Sequence, residues 1–199
     1  MVRQSSNARL RLCDARDDAA ALLLIDIQQA IDDVDLHGAH SNPALDDRLD
    51  ELLTCWRGGN GHIVHVRHFS HTPGSPYRSG HAGADFKACA MPLAGERVVT
   101  KHVESPFIGT DLDTWLRRHG VSRLVVAGVA TGHAVSTAAR HAHCLDFGVV
   151  VVADACASFP LDDDEGRRWS ADDVQRFSLA LLGSHYARIA STREVVQQF

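Results

Sequence analysis

An aspartate and a lysine each stand at the end of a strongly apolar run, an unusual place for a charged side chain. Asp26 follows AAALLLI, residues 19–25, and Lys101 ends the short run ERVVTK, residues 96–101. An isolated carboxylate in apolar surroundings shifts its pKa or needs a cation, and Lys101 is the natural partner. Because DIQQ begins a new segment, Asp26 has an alternative role as a helix N-cap. Spacing alone leaves catalysis and capping both open.

The segment GVATGHAVSTAARHAHC, residues 128–144, follows an apolar run and opens a helix. Unpaired backbone N–H groups and the positive end of the helix dipole make such a turn receptive to anions. Ala134 occupies its centre, where a nucleophile would be usual. The patterns GxGxxG and GxxxxGK[ST] are absent from the sequence, so nothing indicates a nucleotide site. The alternative is a plain strand-to-helix connection.

Four histidines recur every three residues, His62, His65, His68 and His71, and this density suggests a metal site. Side chains alternate faces along a strand, however, so all four cannot converge while HIVHV stays extended. We therefore expect scattered surface and rim histidines. His68, just past the strand, is kept as a substrate-pocket candidate.

The chain alternates near-continuous apolar runs with amphipathic stretches. The apolar runs cover residues 19–26, 62–66, 123–129 and 148–154, with 96–101 as a further short run, and the amphipathic stretches cover 43–57, 110–119, 135–145 and 170–185. Continuous apolar runs suit parallel strands buried on both faces. Strand then helix, repeated, predicts a doubly wound α/β sheet. The Gly-, Ser-, Pro- and His-rich segment 69–95 is long for a connection, which predicts a substrate or lid loop.

Composition favours a single domain in the cytoplasm with a small-molecule partner. The 199 residues are 45% hydrophobic, enough for one sizeable core. A net charge of −5 without basic blocks argues against nucleic acid and anionic membranes. Five widely spaced cysteines, never in CxxC, indicate neither disulfides nor zinc and point to a reducing compartment. Residues 1–18 form a polar extension without the apolar core of a signal peptide.

Together these residues resemble the isochorismatase-like cysteine hydrolase superfamily. LLLIDIQ is similar to its Asp-bearing first strand, VVTKHVESPFIGTDLDTWLRRHGVSRLVVAGVAT to its Lys segment with the following helix and strand, and GHAVSTAARHAHCLDFGVVVVADACASF to its nucleophile helix and last core strand. The match covers roughly residues 19 to 192. It implies a Rossmann-like, three-layer αβα fold with a mainly parallel sheet of about six strands.

The resemblance assigns a role to each matching position. Asp26 corresponds to the general base and Lys101 to its supporting cation. Val129-Ala130 corresponds to a cis peptide bond, and the N–H groups of residues 130 and 134 to an oxyanion hole. Position 134 is that of the nucleophilic cysteine, where a helix N-terminus favours the thiolate. Here it is Ala134.

Two interpretations of Ala134 follow. His133, Ser136, Thr137 and Arg140 keep the pattern of the thiol enzymes, which favours a cysteine-to-alanine, substrate-trapping variant of a working amidohydrolase with a thioester acyl-enzyme. Its substrate class would be a small amide, ureide, lactam or imide. In the alternative, the alanine is natural, as in thiol-free isochorismatases that hydrolyse a vinyl ether or in a silent small-molecule-binding protein of this fold.

The resemblance points to the metal-free branch that includes streptothricin hydrolase. The nicotinamidase branch carries an Asp-x-His…His metal motif, whereas this chain has Arg67-His68-Phe69-Ser70 there. We therefore expect no metal and no cofactor, and a homo-oligomer, dimer or tetramer. The expected substrate-binding residues are Gln28, Arg67, His68, Phe107, Val129, His133 and Phe159. Phe107 and Phe159 have an equally good alternative as core or interface aromatics.

Overall fold

The computed structural model describes residues 19–198 and contains a six-stranded parallel sheet. In the order β3-β2-β1-β4-β5-β8, its strands are Arg97–Lys101, His62–His68, Ala19–Ile25, Val121–Val129, Gly148–Ala157 and Arg188–Ala190. The predicted doubly wound α/β fold is confirmed. A separate antiparallel pair joins β6 (Leu161–Asp162) to β7 (Arg168–Trp169). The predicted extension over 1–18, with Cys13, lies outside the described residues.

Helices cover both faces of this sheet. They are α1 (Val34–His37), α2 (Leu45–Gly58), α3 (Leu112–Arg118), α4 (Ser136–Cys144), α5 (Ala171–His185) and α6 (Thr192–Val196). Helices α3, α4 and α5 pack into the core on one face, and α2 and α6 pack into the core on the other. The four predicted helices form within a few residues of their expected bounds, because their apolar spacing supplies the buried stripe.

The central strand β1 shows why the apolar runs are continuous. Leu23 and Ile25 enter the core on one face of the sheet, while Leu22 and Leu24 enter the core on the other. Both alternating sets are therefore buried, as parallel sheets between two helix layers require. Polar residues appear only where the strands end, so the carboxyl edge of the sheet is the place for a site.

At that edge, β4 comes very close to β1. Gly128 pairs with Ile25 and has a φ of +130°. A Cβ at residue 128 would lie 2.2 Å from the carbonyl oxygen of Ile25, so only glycine fits this position. The Val129–Ala130 peptide bond that follows is cis, as the resemblance implies. No helix within residues 19–198 has both the length and the apolar character to cross a bilayer.

Candidate active site

Asp26 and Lys101 form a buried ion pair at the carboxyl edge of the sheet. Asp26 directly follows β1, and Lys101 is the last residue of β3. Lys101 Nζ donates to Asp26 Oδ2 at 2.7 Å, and the lysine side chain is only 2% exposed. The predicted partnership is thus present. The carboxylate bonds to the lysine instead of capping a helix, since the following 3-10 turn begins after Gln28 and has no side-chain cap.

The Asp26 carboxyl has one oxygen without a hydrogen-bond partner. Its Oδ1 is buried and accepts no hydrogen bond in the structure. Burial raises the pKa of Asp26 to about 6, the lysine opposes this shift, and the charge of Glu104 adds to it. Such a carboxyl exchanges protons near neutral pH, as a group acting as both base and acid requires.

The turn at the end of β4 brings Ala134 to the same place. Thr131–Val135 form a π-helical turn that continues directly into α4. Ala130 and Ala134 both line a cavity of about 490 Å³ that also reaches Asp26 and Lys101. Within residues 19–198, no cysteine lines this cavity. Cys144 is exposed at the far end of α4, and Cys156 is buried in β5.

The cavity has the size of a small-molecule site and mixed polar and apolar walls. Of the residues expected at the substrate, His68, Val129, His133 and Phe159 line it. The other lining residues are Leu36, His37, Tyr77, Glu104, Ser158, Pro160, Leu161 and Val174. The carboxyl ends of β1 to β5 therefore converge on one chamber, as a doubly wound sheet predicts.

Known proteins resemble this chain in both sequence and structure. Residues 20–180 match the pattern of the isochorismatase domain. The chain belongs to the isochorismatase family. The family member YrdC of Bacillus subtilis strain 168 is 30% identical over 183 residues, covering 92% of this chain and 97% of YrdC. A family structure from Chromobacterium violaceum ATCC 12472 is 39% identical, covers 92% of this chain and 94% of that one, and has a TM-score of 0.87.

A shorter match concerns a relative with a named activity. The ureidoacrylate amidohydrolase RutB of Cronobacter turicensis is 36% identical over 110 residues, which cover 50% of this chain and 46% of RutB. Among solved structures, an isochorismatase hydrolase from Oleispira antarctica is 28% identical, covers 92% of this chain and 98% of that one, and has a TM-score of 0.81. The chain thus belongs to a family whose named members include hydrolases.

Gln28 does not line the cavity of this isochorismatase-family protein, although we expected it at the substrate. Its side chain is fully buried and clamps two neighbouring segments of backbone. Nε2 donates to the carbonyls of His68 at 3.0 Å and Ala84 at 2.8 Å, while Oε1 accepts from the His68 N–H at 2.8 Å. With its amide groups bonded to backbone, Gln28 positions the chain around His68.

Arg67 and Phe107 also lie elsewhere. Arg67 Nε donates to Thr100 Oγ1 at 3.0 Å, and its guanidinium lies 4.4 Å from the centre of the Phe69 ring. Phe107 is buried in the core beside Phe147, which is the core alternative considered from the sequence. We expected Arg67 near the site because it stands at the end of a strand. Successive side chains of a strand point to opposite faces, so His68 lines the cavity and Arg67 does not.

Three cavity-lining residues, Tyr77, His37 and Glu104, had no direct signal in the sequence. Tyr77 comes from the 69–95 loop, which fits the expectation of a substrate loop, and its hydroxyl lies 3.0 Å from His37 Nε2. His37 ends the short helix α1. Glu104 stands three residues after Lys101. Its closeness to a strand end that carries a charged residue is the sequence signal that could have identified it.

The four regularly spaced histidines do not converge, but the expectation of surface and rim positions is wrong for His65, which is fully buried. His62 packs against Trp115 and His119, His65 bonds Glu96 Oε2 at 2.7 Å, and His71 stacks on His102. His68 alone among these four lines the cavity. In the part of the chain that the structure describes, no three His, Cys, Asp or Glu side chains are grouped to hold a metal ion.

Proposed function

We propose that this site is built to hydrolyse a carbon–nitrogen bond in a small amide, ureide, lactam or imide. One observation carries the proposal: the buried Asp26–Lys101 pair opens onto the same cavity as Ala134, at the head of a helix. The named activity of RutB supports a C–N bond as the target. The sequence resemblance to the branch that includes streptothricin hydrolase supports it as well.

In the proposed chemistry, residue 134 carries a thiol. Asp26 takes the thiol proton, the thiolate attacks the carbonyl carbon, and the proton passes to the leaving nitrogen. Water then hydrolyses the thioester, with Asp26 again accepting and returning a proton. The N–H groups of residues 130 and 134 are the proposed oxyanion donors. Ala134 has no thiol, so we propose that it stands in the place of that cysteine and that this chain binds its substrate without forming a thioester.

The Ala134→Cys variant tests the proposal. We expect it to hydrolyse members of a small amide, ureide, lactam and imide panel that the Ala134 chain leaves intact. Open-chain members release ammonia or amine, and cyclic members are opened. Ala134→Ser is the matched control, since a serine hydroxyl of similar size ionises far less readily than a thiol. A thioester adduct, visible by mass spectrometry in the cysteine variant and absent from the serine variant, identifies the route. Lack of turnover and of adduct with the whole panel contradicts it.

A second candidate function is favoured by the state of Asp26. A carboxyl that lines the cavity and has a pKa of about 6 is able to donate a proton without help from a thiol. Protonation of a vinyl ether, followed by addition of water, uses these residues as they stand. Cleavage of isochorismate by the Ala134 chain, together with an inert Ala134→Cys variant, identifies this reaction. Binding without turnover in both forms identifies a small-molecule-binding protein.

A further inference from the structure

The aspartate, glutamate and lysine side chains that line the cavity carry a net negative charge. Asp26 and Lys101 neutralise each other across 2.7 Å, and Glu104 adds an exposed carboxylate. Within residues 19–198, no arginine and no second lysine lines the cavity. A negatively charged substrate group would therefore meet a carboxylate and find no unpaired cation among these residues.

Several arginines stand on elements next to the cavity, and none of them lines it. Arg168 on β7 pairs with the exposed Asp162, and two others, Arg67 and Arg140, are engaged elsewhere. Arg67 bonds Thr100 and lies over the Phe69 ring. Arg140 on α4 donates from Nε to Ser136 Oγ at 3.1 Å, and its guanidinium lies 4.1 Å from the centre of the Tyr186 ring. Planar guanidinium groups are the usual partners of carboxylates in proteins, and neither of these lines the chamber.

Two of the lining histidines are biased toward the neutral form. Burial lowers the pKa of His37 and of His68, and the nearby charge of Lys101 lowers that of His68 further. Neutral imidazoles offer one donor and one acceptor each. They suit an amide or imide, which presents an N–H beside a C=O.

Aromatic rings form one wall of the cavity. The His37 and Phe159 rings have centroids 4.8 Å apart with a tilt of 34°, and the Tyr77 hydroxyl contacts His37. Ring faces pack well against planar ligands and attract cations. The wall thus favours a flat molecule, with or without a positive group.

We propose that the cavity takes a planar substrate that is uncharged or positively charged and discriminates against carboxylates. This rests on the proposed function, because it names the substrate class of the same site. In the proposed chemistry the N–H groups at the head of α4 are taken by the oxygen of the reacting carbonyl. A carboxylate elsewhere on the substrate therefore loses hydration and gains no cation, and both effects weaken its binding. Isochorismate carries two carboxylates and ureidoacrylate carries one, so the charge balance separates this chain's substrate from both molecules.

Binding of three matched amides to the Ala134 chain tests this selectivity without requiring turnover. The probes are benzamide, 4-(aminomethyl)benzamide and 4-carbamoylbenzoate, which share the planar amide and differ in the charge of one substituent. Titration calorimetry at low salt and about pH 8 keeps histidines of ordinary pKa neutral. We expect Kd values for the neutral and cationic probes about tenfold or more below that of the carboxylate.

The Glu104→Lys variant makes the net charge of the cavity lining positive. It should tighten binding of 4-carbamoylbenzoate and weaken that of 4-(aminomethyl)benzamide, changing the ratio of their Kd values about tenfold at low salt. Asp50→Lys is the matched control, because Asp50 is exposed on α2, does not line the cavity and undergoes the same change of charge. We expect it to leave the ratio unchanged.

Three results would overturn the inference. They are equal or tighter binding of the carboxylate probe, an unchanged ratio in Glu104→Lys, and no binding of any probe at millimolar concentration. Failure here is distinct from failure of the proposed function. If Ala134→Cys hydrolyses amides but prefers carboxylate-bearing ones, the hydrolase proposal stands and the substrate class is wrong.

Discussion

The hydroxyl of Tyr77 lies 3.0 Å from Nε2 of His37 and joins the 69–95 loop to helix α1 beside the cavity. Burial raises the pKa of Tyr77 and lowers that of His37, so the contact links a neutral phenol to a neutral imidazole. His37 in turn packs on Phe159. Three separate segments of the chain thus share one wall, and the Tyr77 hydroxyl links the loop to α1.

Tyr77→Phe should loosen the loop while keeping the ring. Loss of one hydrogen bond is expected to lower the free energy of unfolding by about 1 kcal/mol. Hydrogen exchange should become faster at loop amides such as that of Ser70, which donates to the Tyr77 carbonyl. Tyr186→Phe removes the same hydroxyl from a ring that packs on Arg140 and should leave the loop's exchange unchanged. Equal exchange in both variants would show that the Tyr77–His37 contact does not hold the loop.

Gln28→Met should destabilise the fold strongly, because it leaves buried backbone groups at His68 and Ala84 without their partners. Each unsatisfied buried group costs about 1–3 kcal/mol, so a loss of about 3 kcal/mol is expected in urea unfolding. Gln197→Met, on an exposed position of the same residue type, should change stability by less than about 0.5 kcal/mol. A small effect at both positions contradicts the assigned role of Gln28.

The pH dependence of turnover distinguishes the two candidate reactions. With Asp26 as base, the ionised form is active, so kcat/KM of Ala134→Cys should rise with pH through about 6. With Asp26 as acid on a vinyl ether, kcat/KM should instead fall as pH rises through the same value. Because the charge of Glu104 raises the pKa of Asp26, Glu104→Gln should move the inflection to lower pH. An inflection that does not move with Glu104 belongs to another group.

The Asp26–Lys101 pair should show strong energetic coupling. Asp26→Asn leaves a buried ammonium without its counter-charge, and Lys101→Met leaves a buried carboxylate, so each is expected to cost about 3 kcal/mol or more. The double variant removes both charges and should be less destabilised than the sum of the two by more than about 1 kcal/mol. Urea unfolding of the four proteins measures this. Additive losses mean that the two charges do not stabilise each other.

Much of the fold was predictable because burial on both faces leaves a continuous apolar trace. Strand β8, Arg188–Ala190, was missed because only three residues pair with β5, too few for a periodicity to appear. The β6–β7 pair was missed for the same reason. Its two-residue strands are closed by local contacts, such as the bond from Trp169 Nε1 to Asp163 Oδ2 at 2.9 Å.

The site was predictable where it stands at strand ends and unpredictable where it comes from loops. Asp26 and Lys101 stand at the ends of apolar runs, and a charged side chain in such a position indicated a site. Tyr77 lies in a segment without periodicity, and only the folded loop brings it to His37. Gln28 and Phe107 have the right sequence neighbourhood but turn their side chains toward backbone and core, a choice that depends on the three-dimensional packing.

The close approach of Gly128 to Ile25 determines how near two parts of the site lie to each other. Ile25 directly precedes Asp26, and the residues after Gly128 lead into the turn that carries Ala134. The separation of these two strands is fixed by main-chain atoms alone, since a Cβ would stand 2.2 Å from a carbonyl oxygen. A side chain at residue 128 would push β4 away from β1, and with it the turn that carries Ala134 away from Asp26.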